Sequence, residues 1–276
     1  MKSAISVWSF PAEWSLEKKF RTASEAGFDG VEVALDEEGE ISLGSAAGDM
    51  DGIKKLAKSH NVELFSLATG LYWKYSLTSG DDAVRDKALS IAKKQLEVAK
   101  WLGCDTILVV PGCVGADFAP GQVVEYDVAY ERALDAVNSL KAYAEGQGVC
   151  IGVENVWNKF LLSPLEMRDF IDAAGSPFVG AYFDVGNVLV SGYPEHWIKI
   201  LGSRIKKVHF KDFKRSVGSL EGFVDILSGD VDYPAVAKSL ARIGYDGWVT
   251  AEVGFSKDYP EQSVRNVANA VRSIIG

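Results

Sequence analysis

The sequence predicts an α/β fold, and within that class a (β/α)8 barrel in which residues 1–276 form a single domain. Three observations lead there. Short β-rich runs alternate with longer helical patterns along the whole chain, as a parallel sheet with crossover helices requires. The runs number eight, and no linker, low-complexity tract or composition shift divides them. The first run leads into SVWSFPAEW, not into the glycine-rich phosphate turn that usually opens a doubly wound sheet. A length of 276 residues suits a barrel, for which about 250 is typical.

In chain order, the expected strands are Ser3 to Trp8, Gly30 to Ala34, Glu63 to Leu67, Thr106 to Val110, Cys150 to Glu154, Val179 to Asp184, Lys206 to Phe210 and Trp248 to Val253. Each is a short run rich in β-branched, aromatic or aliphatic residues. The helices between them carry start and stop signals. After strand three, Ser79 or Asp81 is an N-cap; Val84, Ala88, Ile91, Leu96 and Ala99 share one side, and Gly103 ends the helix. After strand four, YDVAYERALDAVNSLKAYAEGQG repeats the design and is read as ending at Gly146. After strand five, Ser163 caps a helix with Pro164 at its first position and Glu166 three residues past the cap, a capping-box arrangement.

Composition narrows the function classes. With 47% hydrophobic and 24% charged residues the chain is that of a soluble globular protein. A net charge of −9 without a dense basic block argues against nucleic acid or an anionic membrane as partner. In the most basic stretch, SRIKKVHFKDFKR, Lys206 and Lys207 read as solvated strand ends. The opening MKSAISVWSFPAEW reads as neither signal peptide nor membrane span. Cys104, Cys113 and Cys150 form no CxxC pair and fit a reducing cytoplasm.

In a barrel, reactive side chains sit at the C-terminal ends of strands. Strands five to eight end on IGVENVWN, AYFDVGN, KVHFKD and VTAEVGF, which bring Glu154, Asp184, His209 and Glu252 to one rim. Three carboxylates in a small space must either take up protons or bind a cation. The donors, three oxygens and one nitrogen with no sulfur, suit one octahedral divalent ion, Mn²⁺ in first place, Mg²⁺ or Co²⁺ next, with zinc also compatible. His209, lone in an apolar strand, then has a reason to be there as a neutral ligand.

Other rim residues have softer readings. Lys211, two residues beyond His209, shares its side of the strand and could reach a substrate oxygen. Trp8, Trp157 and the loop residues Leu71, Tyr72, Trp73 and Tyr75 could wall a small-molecule site. Glu32, between Val31 and Val33, is expected to face the barrel interior as a supporting hydrogen-bond partner. The loop with Lys214, Arg215, Ser216, Gly218 and Ser219 could hold a phosphate, since barrel phosphate sites often use the loops after strands seven and eight. His60 and His196 lie away from strand ends and are read as non-functional.

From EAGFDGVEVAL through GVENVWN, GAYFDVGN, VHFKD and GYDGWVTAEV the chain resembles the xylose-isomerase-like TIM barrels, the sugar (phosphate) isomerase and epimerase superfamily that includes the ketose 3-epimerases. The resemblance implies a metal held by Glu154, Asp184, His209 and Glu252, with the two glutamates as acid/base pair in proton transfer next to a carbonyl through an enediolate. It also implies substrate contact by Arg215, six residues past the histidine. Two positions depart from the pattern. Asn187 stands where those epimerases often have a substrate-contacting histidine, and a further substrate glutamate is missing from ENVWNKFLL. The expected partner is a small sugar or sugar phosphate, and exposed aromatics could support a homo-oligomer. Two rivals are an inosose-type dehydratase on the same barrel and a barrel that binds a sugar without turning it over. A trinuclear-zinc nuclease of this fold needs more histidines than three.

Overall fold

The computed structural model describes residues 1–119, 121 and 123–276. The strands are β1 (Lys2–Ser6), β2 (Gly30–Leu35), β3 (Glu63–Thr69), β4 (Thr106–Val109), β5 (Cys150–Glu154), β6 (Val179–Asp184), β7 (Ile205–Phe210), a two-residue pair β8 (Asp212–Phe213) and β9 (Phe223–Val224), and β10 (Trp248–Ala251). Eight of them close a barrel in the order β1-β10-β7-β6-β5-β4-β3-β2, while β8 and β9 form a small antiparallel ribbon outside it. Every barrel pairing is parallel. The first and last strands of the barrel meet, Lys2 opposite Trp248 and Ile5 opposite Ala251.

Helices α1 (Leu16–Ala26), α2 (Ala47–Ser59), α3 (Asp82–Leu102), α4 (Tyr126–Gln147), α5 (Pro164–Ala174), α6 (Pro194–Leu201), α7 (Tyr233–Arg242) and α8 (Pro260–Ile275) return the chain to the start of each next strand. Their apolar faces pack on the sheet, so barrel and helices share one core. None of these helices is long and apolar enough to cross a membrane.

Local chemistry moves several expected boundaries. β1 stops at Ser6, whose Oγ accepts from Trp8 N at 3.4 Å; Val7–Ser9 is a 3-10 turn, and Trp8 lies past the strand. Asp81 caps α3 by accepting from Ala83 N at 2.8 Å. α4 does not end at Gly146. It runs to Gln147 and is capped by Gly148, whose φ of 71° is the left-handed conformation glycine adopts without strain. At α5 Ser163 Oγ accepts from Glu166 N, but the Glu166 carboxylate accepts from Leu162 N at 2.9 Å and Tyr126 Oη at 2.6 Å. The return arm of the capping box thus reaches one residue further back.

Lys207 is not a solvated strand end. It is buried, pairs with Asp105 Oδ1 at 2.6 Å and lies over the Phe65 ring, itself stacked on Trp248 at 4.2 Å. An exposed carboxylate partner and an aromatic surface offset the cost of burying this ammonium.

Candidate active site

Glu154 ends β5, Asp184 ends β6, His209 is next to last in β7, and Glu252 follows β10 directly. Their donor atoms all lie within 4.8 Å of one another. His209 Nδ1 is the focus, 2.9 Å from Glu252 Oε2, 3.2 Å from Glu154 Oε1 and 3.8 Å from Asp184 Oδ2. Register explains the convergence, since Asp184 stands opposite His209 across β6 and β7, and Glu252 N donates to Phe210 O at 3.1 Å.

Residues beside the four fix their positions. The Asn155 amide bridges two strand ends, donating to Asp184 O at 2.8 Å and accepting from Asp184 N at 3.0 Å. Asn187 N donates to Asp184 Oδ1 at 2.7 Å and leaves Oδ2 to face His209 and Lys211. Ser9 Oγ accepts from Val253 N at 2.9 Å and ties the chain after β10 to the loop after β1. Gly186 has no room for a side chain, because a Cβ there would stand 2.6 Å from Lys211 Cβ and 2.9 Å from its carbonyl carbon. That close approach lets Lys211 fold over Asp184.

The charges call for a cation. Lys211 Nζ stands 3.2 Å from Asp184 Oδ2 and 2.9 Å from Glu252 Oε2, within ion-pair range. Neither oxygen receives a hydrogen bond of good geometry; with Thr250 Oγ1 they are the buried side-chain polar atoms left unsatisfied among the described residues. Lys211 balances one of the three carboxylates at the strand ends and a divalent ion would balance the other two, while the carboxylate of Glu32 lies on the far side of His209. Hard oxygens, one imidazole nitrogen and two buried atoms without a hydrogen bond fit such an ion.

Burial pushes the Glu154 carboxyl up to about 7, despite His209 and Lys211. Burial likewise raises Asp184. For Glu252 burial also acts upward, but Lys211 and His209 outweigh it and hold the group far below the usual carboxylate range. Burial disfavours the His209 imidazolium, yet Glu32, Glu252 and Glu154 together raise its pKa well above the ordinary value.

Beneath the cluster lies fully buried Glu32. Its carboxylate faces His209 Nε2 at 3.1 and 3.3 Å, accepts from Ser66 Oγ at 3.1 Å, and accepts from the Tyr182 hydroxyl. With Nε2–H donating to Glu32, the Nδ1 lone pair is the one that faces the three other carboxylates. The expectation that Glu32 points inward as a supporting partner holds. Its partners Ser66 and Tyr182 left no mark in the sequence, since either reads as an ordinary strand residue.

Above the cluster opens a cavity of about 480 Å³, lined by Glu154, Glu252, Lys211, Asn187, Trp157 and Trp73 among others. Trp8 also lines it, joined by Phe118, Leu220 and Phe223, which the sequence did not single out. Of the loop after β3 only Trp73 reaches the cavity. Tyr72 is buried with its hydroxyl on Gln95 Oε1, Tyr75 donates to Glu37, and Leu71 is buried. Asn187 lines the wall, but its amino group is committed to Asn155 O. Arg215 departs from expectation: it does not line the cavity, its guanidinium lies over the Tyr193 ring at 5.0 Å, and its Nε points to Leu189 O. The neighbouring Lys214, Ser216, Gly218 and Ser219 are outside the lining too.

A family model described as Xylose isomerase-like TIM barrel matches residues 20–274. The chain belongs to that family. Among curated relatives of this xylose isomerase-like barrel, the putative L-ribulose-5-phosphate 3-epimerase SgbU of Escherichia coli (strain K12) is 27% identical over 250 residues, covering 85% of this chain and 82% of that protein. The fructoselysine 3-epimerase of Escherichia coli O157:H7 is 22% identical over 244 residues, covering 86% and 85%. A solved D-psicose 3-epimerase, determined in the presence of D-fructose, superposes with a TM-score of 0.83 at 18% identity and full coverage of both chains. That last likeness shows the fold. The named relatives are epimerases, and they support an isomerase-class enzyme.

Within this xylose isomerase-like barrel, a divalent ion entering the cluster is expected to displace protons. Glu154, Asp184 and His209 all have raised proton affinity in the metal-free site, and a ligating imidazole must give up its Nδ1 proton. Protons and metal compete, so affinity should rise with pH, more steeply below pH 7, where Glu154 still carries its proton (about 7), than above it. Calorimetric titration with Mn²⁺ in buffers of different ionisation enthalpy should find at least about one proton released per ion. An affinity flat in pH would contradict the assignment.

Proposed function

We propose that the protein is a divalent-metal-dependent sugar isomerase that epimerises a ketose at C3 by proton transfer next to its carbonyl, with the whole chain as one catalytic domain. The observation that carries the reading is the placement of two glutamates. Glu154 and Glu252 enter from β5 and β10, with β6 and β7 between them in the barrel, and both line one cavity. Inverting a carbon needs a base on one face and an acid on the other, because one carboxylate on one face would restore the original configuration.

Glu154, Asp184, His209 and Glu252 would hold the ion, and a set of three oxygens and one nitrogen makes Mn²⁺ the favoured one. Bound there, such an ion supplies Lewis-acid stabilisation of the negative charge that develops as the proton leaves. Glu154 takes the proton from one epimer while Glu252 returns one to the opposite face, and the roles exchange for the reverse reaction. Lys211 places an ammonium beside Glu252 where it can donate to a substrate oxygen. Trp8, Trp73 and Trp157 offer aromatic surface to the C–H faces of the sugar and exclude water. Three unpaired cysteines fit a reducing compartment, and we place the enzyme in the cytoplasm.

The test is incubation of the Mn²⁺-loaded protein with a panel of ketoses and aldoses in D₂O, followed by NMR and mass spectrometry. Deuterium at C3 with formation of the epimer at unchanged chemical composition is the expected result. Loss of water from the product would instead establish a dehydratase, and absence of exchange from every sugar would refute the reading.

A further inference from the structure

Building on the epimerase reading, we infer that the cavity takes a ketose without a phosphate ester and rejects the phosphorylated form, with Asp225 as the residue that enforces the choice. The floor of the cavity fixes the reacting carbons at Glu154 and Glu252, so the far end of the sugar must lie against the outer wall. There the lining is Trp8, Trp73, Phe118, Leu220 and Phe223, together with the carboxylate of Asp225. Asp225 is exposed, and its side chain makes no hydrogen bond or ion pair among the described residues.

A phosphate dianion held in such a place needs cationic or backbone N–H donors to replace its water. The cavity provides few. Among the described residues its lining contains one basic side chain, Lys211, and that ammonium is engaged at the floor by Asp184 and Glu252. No α-helix begins at the lining, so no helix N-terminus faces it. Arg215 turns elsewhere, onto Tyr193 and Leu189 O, while its backbone N–H is taken by Asp230 Oδ2 at 2.8 Å. An anion at the outer wall would meet the Asp225 carboxylate, and the ammonium that comes nearest, Lys211 at 5.9 Å from the Phe223 ring, is already held by Asp184 and Glu252. A hydroxyl at the same position can donate to that carboxylate, and the aromatic wall accepts the C–H surface of an uncharged sugar.

The relative named for a ribulose 5-phosphate makes this a point where the chain and its relatives can differ. The decisive comparison is kcat/KM of the Mn²⁺-loaded enzyme for free ketopentoses and ketohexoses against their terminal phosphates, by deuterium exchange, with calorimetric binding of each sugar alongside. We expect the free sugars to be preferred at least about 100-fold, and Asp225→Lys and Asp225→Asn to narrow that ratio, the lysine variant at least about tenfold. Equal or greater activity on the phosphates overturns the inference and leaves the epimerase reading standing. A ratio unchanged in both variants overturns the role of Asp225. Exchange with neither class refutes the epimerase reading, and this inference falls with it.

Discussion

Replacing Glu154 or Glu252 by glutamine is expected to cut epimerisation about 10²- to 10⁴-fold, the usual contribution of a positioned acid or base, or about 3–5 kcal/mol of barrel-supplied stabilisation. The two variants should differ in what survives. If each glutamate serves one face, Glu154→Gln still lets Glu252 exchange the proton of the epimer it faces, without inverting it, and Glu252→Gln does the same for the other epimer. Solvent deuterium should therefore enter one epimer in one variant and the opposite epimer in the other. Both residues are also candidate ligands, so Mn²⁺ binding is measured on each variant and exchange is compared at saturating metal. Loss of both exchanges in one variant with the other unaffected would indicate a single shuttling carboxylate, the arrangement of a 1,2-isomerisation. Full activity in both variants would remove the glutamates from the chemistry.

The fold was legible because each barrel strand carries its own signal: a short apolar run ends where the next helix begins to cap. Parallel pairing then follows from the alternation, and the strand ends that matter fall within a residue or two of their expected places. His209 and the three carboxylates of its cluster could be read because chain order maps onto barrel order for strands five to eight. Residues whose roles depend on where a side chain swings could not. Arg215 occupies an informative sequence position, yet Tyr193 and Leu189 O draw it off the cavity. Lys207 looks solvent-facing by residue type and is buried because Asp105, about 100 positions away in sequence, supplies its counter-charge. Asn155 was readable in hindsight: an amide directly after a strand-end glutamate is well placed to bridge to the next strand. The β8–β9 ribbon, which carries Phe223 to the cavity wall, is two residues long on each side and gives no periodicity to detect.

The buried carboxylate under the histidine offers the other large effect. Glu32→Ala leaves His209 Nε2–H, Ser66 Oγ–H and Tyr182 Oη–H without their shared acceptor in a fully buried site. The Ser66 and Tyr182 hydroxyls stand 3.0 Å apart and can pair with each other, which leaves two donors unmade; at about 1–3 kcal/mol for each, a stability loss of about 2 kcal/mol or more is expected, measurable by denaturant unfolding of the metal-free protein. Folding alone would not reveal the role of Glu32, and Glu32→Gln separates the two effects. Glutamine keeps the volume and one oxygen acceptor for Nε2–H, while the hydroxyls of Ser66 and Tyr182 can turn to accept from its amino group. Stability should therefore fall much less than in the alanine variant. Metal affinity should still drop about 10- to 100-fold, because the charge that makes Nδ1 a stronger donor is gone. A glutamine variant with wild-type Mn²⁺ affinity would make Glu32 a packing residue only, and an alanine variant of wild-type stability would mean that the remaining donors find water in its place.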